Sequence, residues 1–260
     1  MRRTIGVYVA LLAFASGCPS GPPAWHVVQE GLDGSILSIW GESTSEVFAV
    51  GGPLSDPGEA FILHYDGAQW TRMPAPAGTT TLWWVFGFGP TDVWAVGMDG
   101  IILHFDGAAW STVEEPTHAY TLWGVWGASP TSLWTIGGVA DGSGPSLIRH
   151  YDGTVWEDVP DIGVDRELLF KVWGTAEDNI YVVGTSDILH YDGSAWERTP
   201  SPTMSRLLTL RGRGPDDIYA VGGSSSAVVV HYDGSAWSEI EVEPVGGLMG
   251  VWTAPNQPVV

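Results

Sequence analysis

The sequence is short of the residues on which much protein chemistry is built. Its 260 residues include one cysteine, Cys18, and one lysine, Lys171. A single thiol excludes an intramolecular disulfide framework and a cysteine-cluster zinc site. Positive charge is scarce: ten Lys and Arg stand against thirty Asp and Glu, a formal net charge of −20. That balance argues against nucleic acid and anionic membrane surfaces as electrostatic partners. Charged residues of both signs make up only 15% of the chain and 44% is hydrophobic, too much for a disordered acidic polypeptide. Beyond the N-terminus no window carries a sustained 3.6-residue apolar period, so helices are not expected. Nor is there a Gly-x-Ser-x-Gly elbow, a His-Glu-x-x-His pair, a phosphate loop or EF-hand spacing. What the chain has in excess is tryptophan, at 15 residues, and glycine, at 35.

The N-terminus reads as an address. Arg2 and Arg3 precede an apolar run from Ile5 to Phe14. The run is too short to span a bilayer and suits a signal peptide over residues 1–17. Ala15-Ser16-Gly17-Cys18 resembles a bacterial lipobox, although such boxes prefer Leu where Ala15 stands. The resemblance implies lipidation of Cys18, with residues 18–24 as a lipidated Cys and Pro-rich tether. The alternative is an ordinary secretory signal with Cys18 incidental. Maturation would remove two of the ten basic residues and no acid.

The remainder is one motif repeated. His-aromatic-Asp-Gly occurs five times, at spacings of 40, 46, 40 and 41 residues, each copy followed by a Trp three residues after its Gly. The sets are His64, Asp66 and Trp70; His104, Asp106 and Trp110; His150, Asp152 and Trp156; His190, Asp192 and Trp196; His231, Asp233 and Trp237. Every unit holds four short β-rich runs between Gly, Pro and Asp, and the Asp-Gly pairs mark hairpins. Four strands in a unit of this length is the period of a β-propeller blade. The expected fold is all-β: a propeller of four-stranded antiparallel blades over residues 25–260. Five blades are complete, at about 36–74, 81–114, 121–160, 168–200 and 206–241. A sixth is split between 25–30 and 248–260, with Trp25–Gln29 as an orphan fourth strand and Leu248–Trp252 as an orphan first strand. Its third strand is missing, and about 13–19 further residues would finish it, so the expectation is a C-terminally truncated chain or the absence of further blades.

The unit resembles Kelch and galactose-oxidase-like propellers through the double Gly after the second strand (Gly51-Gly52, Gly137-Gly138, Gly222-Gly223), then a Tyr, then a Trp. It is also similar to the Trp-rich repeats of lipoproteins of myxobacterial type. It departs from Kelch in its shorter period and at Gly97-Met98 and Gly184-Thr185, where the double Gly is lost. The resemblance implies a bacterial cell-envelope lipoprotein of the outer membrane or periplasm, or otherwise a secreted protein. It does not imply a particular activity.

Fourteen of the fifteen Trp fall on repeating positions, as blades packed on aromatic layers require. Trp84 breaks that register, because its equivalents Ser38, Gly124, Lys171, Thr209 and Gly250 are small or polar. Trp84 is therefore a candidate ligand-stacking residue facing a central channel. The motif His residues recur once per blade and cannot converge on one ion, so they read as hydrogen-bonding elements of the hairpins. In a four-strand meander the first-to-second and third-to-fourth turns share one face, and here they are short and uniform. The opposite face carries variable loops with Asp56, Glu59, Asp141, Asp158, Asp161 and Asp165. These are candidate binding residues for a protein or glycan partner, and Ca²⁺ is the one cofactor they suggest. No catalytic set and no metal site is identified. The expected function is an envelope-anchored, non-catalytic binding or scaffold module. The alternatives are a carbohydrate-active hydrolase or lyase and a purely structural ring in a larger assembly.

Overall fold

A computed structural model describes residues 27, 29–54, 58–114, 119–160 and 162–253. They form five four-stranded antiparallel sheets, each a meander in chain order. The first contains β1 (Gly34–Ser43), β2 (Glu46–Pro53), β3 (Phe61–Tyr65) and β4 (Trp70–Met73). The second contains β5 (Leu82–Gly89), β6 (Asp92–Gly97), β7 (Ile102–Phe105) and β8 (Trp110–Glu114), with a 3-10 turn at Met98–Gly100. The third contains β9 (Thr121–Ser129), β10 (Ser132–Gly138), β11 (Ser146–Tyr151) and β12 (Trp156–Asp158). The fourth contains β13 (Leu169–Ala176), β14 (Asn179–Gly184), β15 (Ile188–Tyr191) and β16 (Trp196–Thr199). The fifth contains β17 (Leu207–Gly214), β18 (Asp217–Gly223), β19 (Ala227–Tyr232) and β20 (Trp237–Ile240). The chain is an all-β propeller of such blades.

The blades pack in two compact units. One comprises residues up to 95 together with 103–113; the other comprises 96–102 and the chain from 114. Of the expected Trp25–Gln29 strand, Trp25 lies outside the described residues, and neither Val27 nor Gln29 is in a strand. Leu248–Trp252 is described but joins no sheet. Leu248 N donates to Gly222 O at 2.9 Å and Thr253 Oγ1 to Gly212 O at 2.9 Å, so the segment lies along the fifth blade. An inner strand needs a second strand to complete its ladder, and none follows among the described residues.

Two contacts join successive blades within each unit. The first is aromatic. Phe48 on β2 meets Phe105 and Trp110 of the next blade at ring-centroid distances of 5.5 and 6.3 Å. In the second unit, Trp134 on β10 meets Tyr191 and Trp196 at 5.0 and 5.5 Å. Tyr181 on β14 meets Tyr232 and Trp237 at 5.9 and 6.0 Å. The second contact nests an indole on a glycine of the following first strand. A Cβ at Gly87 would lie 2.7 Å from the Trp40 ring, at Gly174 2.8 Å from Trp126, and at Gly212 2.4 Å from Trp173. These glycines are the holes into which the preceding Trp fits.

The repeated motif fastens each blade internally. Each His donates to or accepts from the first residue of its second strand. The Nε2 contacts are Glu46 with His64 (2.9 Å), Asp92 with His104 (2.8 Å), Ser132 with His150 (3.2 Å), Asn179 with His190 (2.8 Å) and Asp217 with His231 (2.8 Å). The hairpin turn itself is held by the Asp. Asp106 Oδ1 accepts Ala108 N at 2.9 Å and Ala109 N at 3.0 Å, and the other four copies repeat the pattern. The following Gly sits at φ between 89° and 95°, where a side chain is strained. At Gly107 a Cβ would also lie 2.6 Å from Thr91 Cγ2, so the Asp-Gly turn rests on the first-to-second turn of its own blade.

Hydrogen bonds to the carboxylate hold the motif Asp low: the Thr154 hydroxyl and then the backbone bonds at Asp152, the Ser235 hydroxyl and then the backbone bonds at Asp233, and Ala195 N followed by the Ser194 hydroxyl at Asp192, each of the three at about 2. Burial also pushes His150 and His190 below the usual imidazole value, against the nearby carboxylates. The signs agree. A folded-state pKa below the unfolded one gives stability that is full above the unfolded pKa and is lost as pH falls through the folded one. The urea midpoint is therefore expected to fall in two stages on acidification, below about pH 6.5 for the His and between about pH 4 and 2 for the Asp. His190→Gln should flatten the first stage. For packing, Gly212→Ala drives a methyl into Trp173 and is expected to cost about 2 kcal/mol by urea unfolding.

Candidate functional site

Each blade has one locked edge and one free edge. On the locked edge the Asp-Gly turn and the first-to-second turn support each other as described above. On the opposite edge, the connections from second to third strand cover 54–60, 98–101, 139–145, 185–187 and 224–226. The links between blades leave from that edge as well. Those connections run from three residues (185–187, 224–226) to seven (54–60, 139–145).

In the second unit the free edge of the third blade forms a cleft of about 150 Å³ lined by Gly100, Glu114, Tyr120, Leu122, Leu147, Arg149 and Asp158. Its centre is Arg149 on β11, whose side chain is 16% exposed. Nη1 donates to Glu114 Oε2 at 2.5 Å and Nη2 to Glu114 Oε1 at 3.3 Å, a two-pronged pair across the link between blades. Nε donates to Asp158 Oδ1 at 2.7 Å, and Nη2 also reaches Trp156 O at 3.1 Å. Burial by itself would push the guanidinium down. Its bonds to Glu114 and Asp158 outweigh that and hold it above its ordinary value. The carboxylates outnumber the guanidinium, so the cleft keeps a net negative charge beside the half-buried ring of Tyr120. The link from 159 to 168 is tied down separately: Ser146 Oγ accepts from Glu167 N and donates to Glu167 O, both at 2.9 Å.

The residues singled out in the sequence fare differently. Asp158 is in the cleft and is exposed. Asp141 is spent on its own loop, its Oδ1 accepting Ser143 N at 2.8 Å. Asp165 is exposed, 3.9 Å from Arg166 Nε. Glu59 is exposed on the β2–β3 loop. Cys18, Asp56 and Asp161 lie outside the described residues. Among the described residues no three His, Cys, Asp or Glu side chains are grouped closely enough to hold a metal ion.

Trp84 is half-buried on β5. Its equivalent Ser38 accepts Val85 N at 3.2 Å, so this position lies against the next blade's inner strand in the first unit. Lys171 occupies the same position on β13 and is buried, 6% exposed. Desolvation and then the charge of Arg211 push its amine well below the usual value. Sequence reading missed the roles of Arg149 and Tyr120. Their signals were weak: an Arg beside a motif His, and an aromatic just before a first strand. The Arg149 pairs predict that Arg149→Met, which leaves Glu114 and Asp158 facing each other, lowers stability by about 1–2 kcal/mol, read by urea unfolding.

No family model matches the chain. No curated protein matches it either. Solved structures do. YCF48 bound to D1 peptide aligns with a TM-score of 0.59 at 18% identity, over 83% of this chain and 70% of that one. The extracellular domain of BT4673 from B. thetaiotaomicron aligns with a TM-score of 0.63 at 15% identity, over 89% of this chain and 31% of that one. The Aleuria aurantia lectin in complex with Fucalpha1-6GlcNAc aligns with a TM-score of 0.51 at 16% identity, over 82% of this chain and 79% of that one. At these identities the likeness is one of fold, and that fold is the β-propeller.

Proposed function

We propose that the chain is a non-catalytic binding module of the bacterial cell envelope. Lipid on Cys18 anchors it, and the variable loops dock a protein or glycan partner. One observation carries this reading. Every blade spends its motif on fixing one edge, while the other edge is free to vary and, in the third blade, builds a cleft with a half-buried guanidinium and a half-buried tyrosine. Rigid blades carrying variable loops are a common arrangement for recognition. The similar structures give precedents: a peptide on YCF48, a fucosylated sugar on the Aleuria lectin, and an extracellular setting for the BT4673 domain. Among the described residues no helix is long and apolar enough to cross a membrane.

The cleft favours a partner with a cationic or hydrogen-bond-donating group, because Glu114 and Asp158 line it and Arg149 is already paired. The purified protein, screened on glycan and peptide arrays, is expected to bind without turning the ligand over. Tyr120→Ala should weaken that binding about tenfold with little change in the urea midpoint. Binding untouched by Tyr120→Ala, or turnover of a glycan, would sink the reading. Titration with Ca²⁺ addresses the acidic loops separately: a saturable heat assigns them to the cation, and its absence leaves them as a solvated surface.

A further inference from the structure

Lys171 is the chain's one lysine, and the fold places it where an ammonium is poorly received. It lies on β13 two residues before Trp173, in unbroken register with β14, so both side chains leave the same face of the strand. Trp173 nests on Gly212 of β17, which sets that face against the inner strand of the fifth blade. Lys171 is 6% exposed there. A charged amine loses its hydration at such a place, and Arg211, the residue before Gly212, adds a second positive charge nearby.

The other blades show what this position meets. An inner strand has one hydrogen-bonded neighbour, so N–H groups along its other edge point away from its own sheet. In the first blade Ser38, two residues before Trp40, accepts one of these, Val85 N, at 3.2 Å. In the third blade Gly124, two residues before Trp126, stands at the same place: a Cβ there would lie 3.5 Å from Val172 N. Val85 and Val172 each precede the nesting glycine by two residues. The same offset sets Leu210 N of β17 opposite Lys171. The position therefore faces a donor and suits an acceptor. A hydroxyl can accept, whereas an ammonium has three donors and no lone pair. Burial, the field of Arg211 and the facing N–H all disfavour the protonated amine. The last two favour an anion with acceptor oxygens.

We propose that Lys171 is a carbon dioxide-binding site, at which the uncharged amine becomes a carbamate. The nitrogen lone pair attacks the carbon of CO2. An N–C bond forms, one C=O π pair moves onto oxygen, and the nitrogen gives one proton to solvent. Nothing is oxidised or reduced. Desolvation and a neighbouring cation are the surroundings that make a lysine nucleophilic. The carbamate reverses the charge at Lys171, so repulsion from Arg211 becomes attraction across the seam between the fourth and fifth blades. The level of dissolved CO2 thereby sets how firmly those two blades hold together. Neither the variable loops nor the lipid anchor enters into this chemistry.

The test uses the whole chain in mildly alkaline ¹³C-bicarbonate buffer. A carbamate ¹³C signal is expected, and Lys171→Met should lack it. The N-terminal amine can react as well, so the adduct is located by fixing carbamates as methyl esters with trimethyloxonium and digesting with trypsin. A fixed Lys171 resists cleavage, and residues 167–198 then run as one peptide. Arg211→Met should lower the fixed fraction roughly tenfold. The urea midpoint of the unaltered chain should rise with bicarbonate at constant pH and ionic strength. Fixing is read on the unaltered chain, so the outcome does not hang on how Lys171→Met folds. Carbamate at the N-terminal amine alone, or no Lys171-dependent ¹³C signal, overturns the proposal. An equal rise of the midpoint in Lys171→Met overturns the coupling of the two blades to CO2.

Discussion

The aromatic residue of each second strand is gripped from two directions, and the blade is built around that grip. From inside the blade the motif His stacks on it: His64 on Phe48 at 4.6 Å, His104 on Trp94 at 4.3 Å, His150 on Trp134 at 4.2 Å, His190 on Tyr181 at 4.4 Å and His231 on Tyr219 at 4.3 Å. From outside, within a unit, the next hairpin's aromatic pair closes on it. Each such ring contact adds about 0.5–1.5 kcal/mol beyond the area it buries. The His is thus both a stacking surface and a hydrogen-bonding clasp to the start of the second strand. That double duty explains why its partner varies between carboxylate, amide and hydroxyl. Any short polar side chain at that point completes the clasp.

Much of this was legible in the sequence, because a repeat exposes its own constraints. The five motif copies located the hairpins, and the Trp register identified the packing layers. The sequence also suggested that the His would fix the Asp-Gly turn. In the structure the Asp holds the turn, helped by the Tyr65 and Tyr232 hydroxyls on Gly67 O and Gly234 O, and the His reaches across to another strand. Spacing along one chain segment cannot reveal a bond made eighteen residues away, as between Glu46 and His64. The missing second glycines have a similar explanation. The first Gly of the pair is crowded by the first strand's backbone: a Cβ would lie 2.1 Å from Leu168 O at Gly184 and 2.0 Å from Thr121 O at Gly137. The second Gly has no such uniform neighbour, so Thr185 can replace it.

The candidate site was less legible for the opposite reason. Arg149 is matched to Glu114, thirty-five residues earlier, and to Asp158, nine residues later, and this matching occurs in one blade only. A feature present once cannot be recognised by its repetition. The acidic loop residues were found from composition, yet composition did not separate Asp158, which faces a cleft, from Asp141, which is consumed by its own turn. Trp84 and Lys171 share a repeat position that elsewhere holds small or polar residues. The position tolerates very different side chains, and it therefore says little about function by itself.

The fifth blade shows how a break in the register carries information. In three contacts a first-strand Trp nests on a glycine of the following strand. At the fifth blade the Trp position holds Arg211, and the corresponding glycine position after it holds Thr253. Both changes are consistent with one geometry. A guanidinium needs no hole, so a Thr can stand there and bond Gly212 O, while the Arg turns onto the Trp252 ring. The exchange removes the indole-in-glycine lock and replaces it with a weaker, solvent-facing stack. Between the fifth blade and the segment that follows it, the described residues therefore lack the indole-in-glycine contact that three other blades make.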